Sequence, residues 1–192
     1  MASDVSHLDG LFHDFLNLKK LRRTGWQLRG IRDGESLADH CFGVVFLTMV
    51  LADYVSDIGI DKNKALRMAL VHELGECRVG DIAFPALEFL KGKSEAEQKA
   101  VQAVLAPLGP VADGYRILFE EFEKNETREA KFVRAIDKLD MLLTAAEYER
   151  TGFTALRDFW ENAVTFECFG PFPALAAYAE HLKENRQKRM GG

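Results

Sequence analysis

The strongest constraint on the fold is that apolar residues recur with a helical period along almost the whole chain. No stretch shows the sustained alternation of apolar and polar residues that is typical of a half-buried strand. Hydrophobic residues make up 47% of the 192 positions, which is enough for a packed core. No internal repeat or linker divides the pattern. The sequence therefore predicts an all-α protein with one domain over residues 1–192.

Capping residues and helix breakers predict where the individual helices begin and end. Ser94 and Glu97 have the spacing of a capping box, so a helix is expected to start at Ser94. Residues 19–36 are basic and turn-rich, and we interpret them as a functional loop. The predicted helices are, in chain order, residues 8–16, 36–54, 61–76, 94–107, 110–123, 127–151 and two C-terminal helices within 154–190, the last opening near Pro171.

Charge and cysteine content exclude several classes of protein. The formal net charge of −5 gives no general field for a nucleic acid polymer, although a local arginine or a metal can hold one phosphate. The three cysteines, Cys41, Cys77 and Cys168, form no C-x-x-C pair, which disfavours a disulfide framework and a thiolate zinc site.

The N-terminus lacks the features of a signal peptide. The apolar run Val44–Ala52 is too short to span a bilayer, so we expect a cytoplasmic protein without membrane partners.

Three polar residues lie on the apolar faces of three different predicted helices. His40 shares a face with apolar residues four, seven and eleven positions later. His72 and Asp137 are aligned in the same way with apolar residues of their own helices. An unpaired buried polar group costs about 1–3 kcal/mol, and a charge costs more. Any one of them alone is typical of a hydrogen-bonded core residue or a salt bridge, but the three together can satisfy one another around a common cation.

Further acids surround the second histidine. Glu76 is four residues after His72, hence on the same face of a continuous helix, and Asp81 follows in a loop. The candidate metal ligands are two imidazoles and two carboxylates, from His40, His72, Glu73 and Asp137. This mixture without thiolate suits manganese, cobalt, iron or magnesium better than structural zinc. Glu76 is placed to accept or direct a proton of an attacking water, so we predict it as the catalytic acid/base.

These residues resemble a known family. The array His40…His72-Glu73…Asp137 is similar to the H…HD…D signature of HD-domain metal-dependent phosphohydrolases. The wider context is most similar to the 5′-deoxynucleotidase branch of that family. The resemblance runs in order from the first loop to about residue 150, with the HD core at about 36–150 and additional helices at 154–190. It is carried by the segments 23–26, 35–40, 70–82, 129–140 and 146–149.

The resemblance implies a helical fold with a buried metal site, one divalent ion and hydrolysis of deoxynucleoside monophosphates, often by a homodimer. Manganese or cobalt is favoured, with iron, nickel, magnesium or zinc as alternatives. By position, the four candidate ligands would bind the metal and Glu76 would be catalytic. Asp81 would contact the sugar and favour deoxyribose, Trp26 would orient the substrate, and Arg23 would bind its phosphate.

The sequence departs from the family pattern at two positions. Glu73 stands where the family usually has aspartate, and Gly25 stands where bacterial members can have an arginine. The longer Glu73 side chain changes the reach of one ligand. Two other functions therefore stay open: an HD phosphohydrolase acting on a cyclic nucleotide or a nucleotide polyphosphate, and a non-catalytic metal-binding helical module.

Overall fold

Helices account for nearly all the regular structure in the computed structural model, which describes residues 4–55 and 59–190. Over these two ranges no strand is present, and the one β-type contact is an isolated bridge between Arg22 and Ser36. The all-α prediction is therefore confirmed. The α-helices are α1 (Asp9–Leu18), α2 (Thr24–Gln27), α3 (Leu37–Tyr54), α4 (Lys62–Val71), α5 (Glu76–Val79), α6 (Lys93–Leu105), α7 (Ala112–Lys124), α8 (Arg128–Arg150), α9 (Arg157–Glu161), α10 (Ala163–Glu167) and α11 (Pro173–Met190).

Side-chain caps set the start of three core helices, α3, α4 and α8. Ser36 and Asp39 form a reciprocal capping box at the start of α3. The Asp61 carboxylate accepts from the Lys64 N–H at 3.0 Å, and Thr127 Oγ1 caps α8 in the same way. These predicted helix starts are confirmed, because each capping oxygen satisfies an N–H group that a helix leaves unpaired.

The predicted helix 61–76 is interrupted. Helix α4 ends at Val71, and residues 72–75 form turns before α5 begins at Glu76. A methyl group added at Gly75 would lie 3.0 Å from the Glu97 backbone oxygen, so α6 passes very close to this turn. The prediction that His72 and Glu76 share one helix face was wrong. Buried residues lie both before and after the turn, at the end of α4 and in α5, so the helical period of apolar residues shows no interruption there. Periodicity alone therefore does not detect the break.

The capping box predicted at Ser94 is not formed. Helix α6 begins one residue earlier, after Gly92 with a left-handed φ of 98°. Ser94 Oγ instead donates to a Glu123 carboxylate at 3.0 Å. The carboxylate of Glu97 pairs with Lys93 at 2.6 Å and is buried. Glu123 on α7 and Lys93, which precedes Ser94 on α6, are therefore the partners of the two residues in place of the predicted cap.

Three helices, not two, follow α8 in the described part of the C-terminal region. Asn162 has an extended backbone (ψ 107°) and its side chain accepts from the Val164 N–H at 3.0 Å, which separates α9 from α10. The final helix starts at Pro173, two residues after the predicted position. Buried aromatic side chains, including Trp160 and Phe172, anchor these short elements to the core, so packing rather than periodicity determines their bounds.

Helix α8 lies at the centre of the packing. It contacts α3, α4, α7 and α11, and eleven of its residues are buried. Helix α3 packs against both α4 and α8. Helices α3 and α8, which carry His40 and Asp137, therefore meet in the core with α4, which His72 directly follows.

Among the described residues, α3 is the one helix long and apolar enough to meet the criteria for crossing a membrane. The 18 residues of α3 together meet these criteria of length and hydropathy, whereas the apolar run Val44–Ala52 within it is too short to span a bilayer. Its inner side buries His40 and Val44 against α4 and α8, as expected for a core helix of a folded domain.

Candidate functional site

The three polar residues predicted on apolar faces come together in the core. His40 lies on the first turn of α3, His72 directly follows α4, and Asp137 lies in the middle of α8. All three are buried, with exposed fractions of 0%, 3% and 6%. The prediction that these side chains are buried is confirmed.

Their functional atoms converge on one point together with Glu73. His40 Nε2 lies 3.3 Å from Asp137 Oδ1 and 3.7 Å from Glu73 Oε1. His72 Nε2 lies 3.9 Å from the same Glu73 oxygen. The ligand atoms of all four residues lie within 4.8 Å of one another. The longer glutamate side chain at position 73 therefore still reaches the cluster.

Both imidazoles are held by their other ring nitrogen. His40 Nδ1 lies 2.7 Å from Asp140 Oδ2, and His72 Nδ1 lies 2.7 Å from the Ala69 carbonyl oxygen. Each of these acceptors requires a proton on Nδ1, which leaves the Nε2 lone pair free in the neutral ring. Partners of this type orient histidine ligands in metal sites.

Several atoms of this cluster are buried without a hydrogen-bond partner. They are His40 Nε2, His72 Nε2 and Asp137 Oδ1. Three buried lone-pair donors facing one another are costly unless something binds them together. A divalent cation satisfies all three, and the nitrogen and oxygen donor set fits such an ion. The residues present thus fit one divalent metal.

The charges and the burial at the cluster shift the pKa values of its two histidines in opposite directions. Burial lowers the pKa of His72, which keeps the imidazole neutral. Burial opposes ionisation of Asp137, but Lys138 and His40 outweigh it and hold the pKa of Asp137 well below its usual range. Burial also acts on His40, yet the carboxylates of Asp137 and Asp140 raise its pKa to about 9. The carboxylates thus attract positive charge to this point.

Glu76 lies beside the cluster at the start of α5. It is 4% exposed, and its Oε2 has no hydrogen-bond partner. Burial and the carboxylates of Glu73 and Asp81 raise the pKa of Glu76 to about 10. A carboxyl group with a strongly raised pKa inside a cavity is typical of a residue that transfers protons.

The segment before α3 brings Arg23 and Trp26 to the same place, and the loop after α5 brings Asp81. Arg23 Nη1 contacts Glu73 Oε1 at 2.9 Å. The Asp81 carboxylate accepts from the Thr24 N–H, and the Asp81 carbonyl accepts from the Thr24 hydroxyl at 2.8 Å. Trp26 is buried to 1% exposure and stacks on Phe159 at 4.5 Å between ring centroids.

A cavity of about 260 Å³ connects these groups. An open cleft of about 700 Å³ adjoins it and shares four lining residues, which are Lys93, Glu97, Glu123 and Arg134. The main cavity is lined by His72, Glu73, Asp137, Glu76, Arg23, Trp26 and Asp81, that is, by every predicted site residue except the fully buried His40. The structure therefore brings all the predicted site residues together.

Sequence reasoning did not identify several residues that complete the site. Asp140 is three positions after Asp137 on α8, and this helical spacing was a usable signal. Glu35 accepts from Trp26 Nε1 at 2.8 Å and its backbone N–H donates to the Tyr148 hydroxyl. Phe159 and Lys93 carried no signal, because only the tertiary structure places them at the cavity.

Comparison with known families agrees with this geometry. Residues 15–165, most of the chain, match the model of the HD domain. The chain belongs to the HD-domain family. The matched residues include the four side chains of the cluster, His40, His72, Glu73 and Asp137.

The curated relatives of this HD-domain chain are consistently named as nucleotidases. The 5′-deoxynucleotidase HDDC2 of Mus musculus is 38% identical over 182 residues, covering 90% of this chain and 85% of the mouse protein. The protein of the same name from Danio rerio is 38% identical over 136 residues, 69% of this chain and 64% of its own length. These names describe the relatives to which the chain is similar.

Solved structures give the same fold. A conserved hypothetical protein from Pyrococcus furiosus has a TM-score of 0.79 and 36% identity, covering 91% of this chain and 98% of that one. A predicted metal-dependent phosphohydrolase from Magnetospirillum magnetotacticum has a TM-score of 0.75 and 26% identity, covering 96% and 94%.

Proposed function

We propose that this protein is a metal-dependent 5′-deoxynucleotidase that hydrolyses deoxynucleoside 5′-monophosphates to a deoxynucleoside and inorganic phosphate. The observation that carries the proposal is the convergence of four ligand atoms within 4.8 Å beside a buried acid, Glu76, in one small cavity. Curated relatives at 38% identity carry this activity in their names, which supports the substrate class.

The proposed ligands of one divalent ion are His40, His72, Glu73 and Asp137. We favour manganese or cobalt, with iron, nickel, magnesium or zinc as alternatives, because the donor set mixes nitrogen and oxygen and contains no thiolate. When bound, such an ion stabilises negative charge on a phosphoryl group and lowers the pKa of water. The side chains contribute orientation, because Asp140 and the Ala69 carbonyl hold the two imidazoles.

Glu76 is the proposed proton-transfer residue. In the hydrolysis, a water oxygen forms a bond to phosphorus, the bond from phosphorus to O5′ breaks, and one proton moves from the water to O5′. The Glu76 carboxyl, protonated because its pKa is raised, gives its proton to O5′ and takes the proton of the water in return, and its Oε2 has no other hydrogen-bond partner that would compete. Burial of the carboxyl keeps bulk water from competing for it.

Arg23, Trp26 and Asp81 are the proposed substrate contacts. The guanidinium of Arg23 binds the phosphate, with Glu73 already orienting it at 2.9 Å. Trp26 forms a rigid wall, since it stacks on Phe159 and donates to Glu35. Asp81 is held by Thr24, so its carboxylate presents a fixed negative group to the sugar and disfavours a bulkier ribose.

A panel of deoxymononucleotides and ribomononucleotides tests the proposal directly. The metal-loaded protein is expected to release inorganic phosphate from the deoxy series with higher kcat/KM. Absence of phosphate release across the panel, with metal bound by elemental analysis, would overturn the substrate assignment. Pyrophosphate as a product, or turnover of a cyclic nucleotide, would assign the chain to another HD phosphohydrolase activity.

His72→Ala tests the ligand assignment separately. This change removes one imidazole from the cluster, so elemental analysis should find no bound ion after gel filtration. Stoichiometric metal in the variant would contradict the role of His72. The exposed His181, which pairs with Asn185 on α11, provides the matched control: His181→Ala should keep its metal.

The proposal includes a homodimer formed through the outer face of α3. Its exposed apolar residues follow helical spacing, and they are Phe42, Phe46, Met49, Val50 and Tyr54. The three aromatic side chains are 72%, 51% and 85% exposed. They offer about 400 Å², since a buried aromatic covers about 150–250 Å². That is about half of the ~800 Å² that each partner contributes to a stable interface.

A second copy fits this face better than a membrane surface does. Helix α3 contains acidic residues but no lysine or arginine, whereas helices that lie on membranes are usually rich in basic residues. Light scattering should find a wild-type dimer, a monomer for Phe46→Glu, and a dimer for Ile117→Glu, a control at an exposed position on α7. A monomeric wild type, or a dimeric Phe46→Glu, would refute this interface.

The remaining parts of the proposal concern partners and compartment. The net charge of −5 and a cavity of about 260 Å³ suit a small nucleotide rather than a nucleic acid polymer. Cys41, Cys77 and Cys168 are all free thiols, which supports a reducing compartment such as the cytoplasm.

A further inference from the structure

Lys93 and Glu97 form an i,i+4 ion pair at the start of α6 that departs from the pattern expected of a helix N-terminus. Lys93 occupies the first position of α6, where the helix dipole disfavours a positive charge. Glu97 has the sequence position to complete a capping box with Ser94, which would stabilise the helix start. Instead of capping the helix, the Glu97 carboxylate forms an ion pair with Lys93, with 2.6 Å between Oε1 and Nζ. Departures of this kind from local preference are expected mainly at functional sites.

The Glu97 carboxylate is a buried anchor for this lysine. Glu97 is 5% exposed, and burial raises the pKa of its carboxyl group while Lys93 opposes the rise. The α6 backbone at this residue packs against Gly75, in the turn that follows the metal cluster. A long, flexible ammonium is thereby held in one place, which removes much of the entropy cost of using it.

The anchored ammonium faces the reaction cavity. Lys93 lines the main cavity and the adjoining cleft, and its side chain is 27% exposed. Its Nζ lies 3.6 Å from Glu76 Oε1, beyond normal hydrogen-bond length. An ammonium has three N–H donors, and Glu97 is the one carboxylate within bonding distance among the described residues. Donors therefore remain for a ligand next to Glu76.

We propose that Lys93, anchored by Glu97, is a second cationic contact for the substrate phosphate alongside Arg23. Arg23 contacts Glu73 at 2.9 Å and Lys93 contacts Glu97 at 2.6 Å, so each cation is held by one carboxylate and keeps further N–H donors for a phosphate. Lys93 adds positive charge on the Glu76 side of the cavity. This assignment rests on the proposed phosphomonoesterase function and adds a residue that the family signature does not contain.

Lys93→Met tests the contact on the metal-loaded protein. We expect kcat/KM for a deoxymononucleotide to fall about 10- to 100-fold, the loss of one charge-assisted contact. The inhibition constant of inorganic phosphate should rise by about the same factor, and Lys93→Arg should restore most of both. Lys99→Met is the matched control, because Lys99 forms an exposed i,i+4 pair with Glu95 on the same helix. It should behave as wild type.

Inorganic phosphate separates this proposal from the proposed reaction. Calorimetric binding of phosphate to the metal-loaded protein needs no turnover, so it tests Lys93 even if no nucleotide is hydrolysed. Weaker phosphate binding in Lys93→Met, with unchanged metal content and Tm, supports the contact. Unchanged phosphate affinity overturns it, as does a failure of Lys93→Arg to rescue. If Lys93→Met does not fold, Lys93→Gln provides the same measurement with a polar head group.

Discussion

Gly43→Ala is expected to disrupt the candidate metal centre from outside it. Gly43 lies within α3, one turn after His40, where the α8 residue Asp140 approaches the helix. A methyl group at position 43 would overlap Asp140 Oδ1 and lie 2.9 Å from its Cγ, whereas ordinary contacts begin at 3.4 Å. The carboxylate must therefore move, and it is the group that holds His40 Nδ1 at 2.7 Å.

Two opposing effects determine the outcome of this substitution. Alanine in a helix interior is favoured over glycine by about 1 kcal/mol. The buried hydrogen bond between Asp140 and His40 contributes about 1.5–3 kcal/mol, because one partner is charged. The loss should exceed the gain, so the metal-free variant is expected to be less stable than wild type by about 0.5–2 kcal/mol. Metal affinity should fall about 10- to 100-fold, as expected when an outer partner of a ligand is displaced.

Calorimetric metal titration and thermal unfolding measure both quantities. Gly114→Ala on α7 is the control, since a methyl group there meets only Arg67 Nη2 at 3.8 Å and should be neutral or stabilising. Asp140→Asn should weaken metal binding to a similar degree without a steric clash. If Gly43→Ala is stabilised like Gly114→Ala and binds metal with wild-type affinity, the assignment of Asp140 as the residue that orients His40 is wrong.

Three further changes probe the proposed chemistry. Glu76→Gln should lower kcat by about 10²- to 10⁴-fold while keeping the metal, because it removes proton transfer only; steady-state kinetics near wild type would contradict this. Asp81→Asn should reduce the ratio of kcat/KM for deoxyribose over ribose substrates by about 10-fold, and an unchanged ratio would exclude Asp81 from sugar selection. A chelator should lower Tm by about 5–10 °C relative to protein with ion at 100 Kd, since binding then contributes about 2.7 kcal/mol; an unchanged Tm would argue against a bound ion.

Much of the fold could be predicted from the sequence because helical signals are local. Ser36, Asp61 and Thr127 each cap the helix that their sequence context indicates. The error at the start of α6 occurred where other partners, Glu123 on α7 and Lys93 four residues earlier on α6, replaced the local cap. Ser94 and Glu97 have the pattern of a capping box, yet they pair with Glu123 and Lys93 instead.

The candidate site was predictable for a related reason. His40, His72 and Asp137 stood out because a polar side chain on an apolar helix face needs a partner. The sequence did not reveal that Glu76 begins a separate helix, since the turn at residues 72–75 leaves the apolar period intact.

By itself, the sequence determined the helical class, most helix starts and the side chains that had to be satisfied in the core. Those properties follow from spacing of 3.6 residues per turn and from the cost of burying polar groups. Only the tertiary structure decided that Asp140 orients His40, that Phe159 supports Trp26, and that Glu97 anchors Lys93 at the cavity. The first two pairs join distant parts of the chain, so their geometry exists only after the helices have packed. Glu97 and Lys93 are four residues apart on α6, but they reach the cavity only because α6 packs against the turn at Gly75.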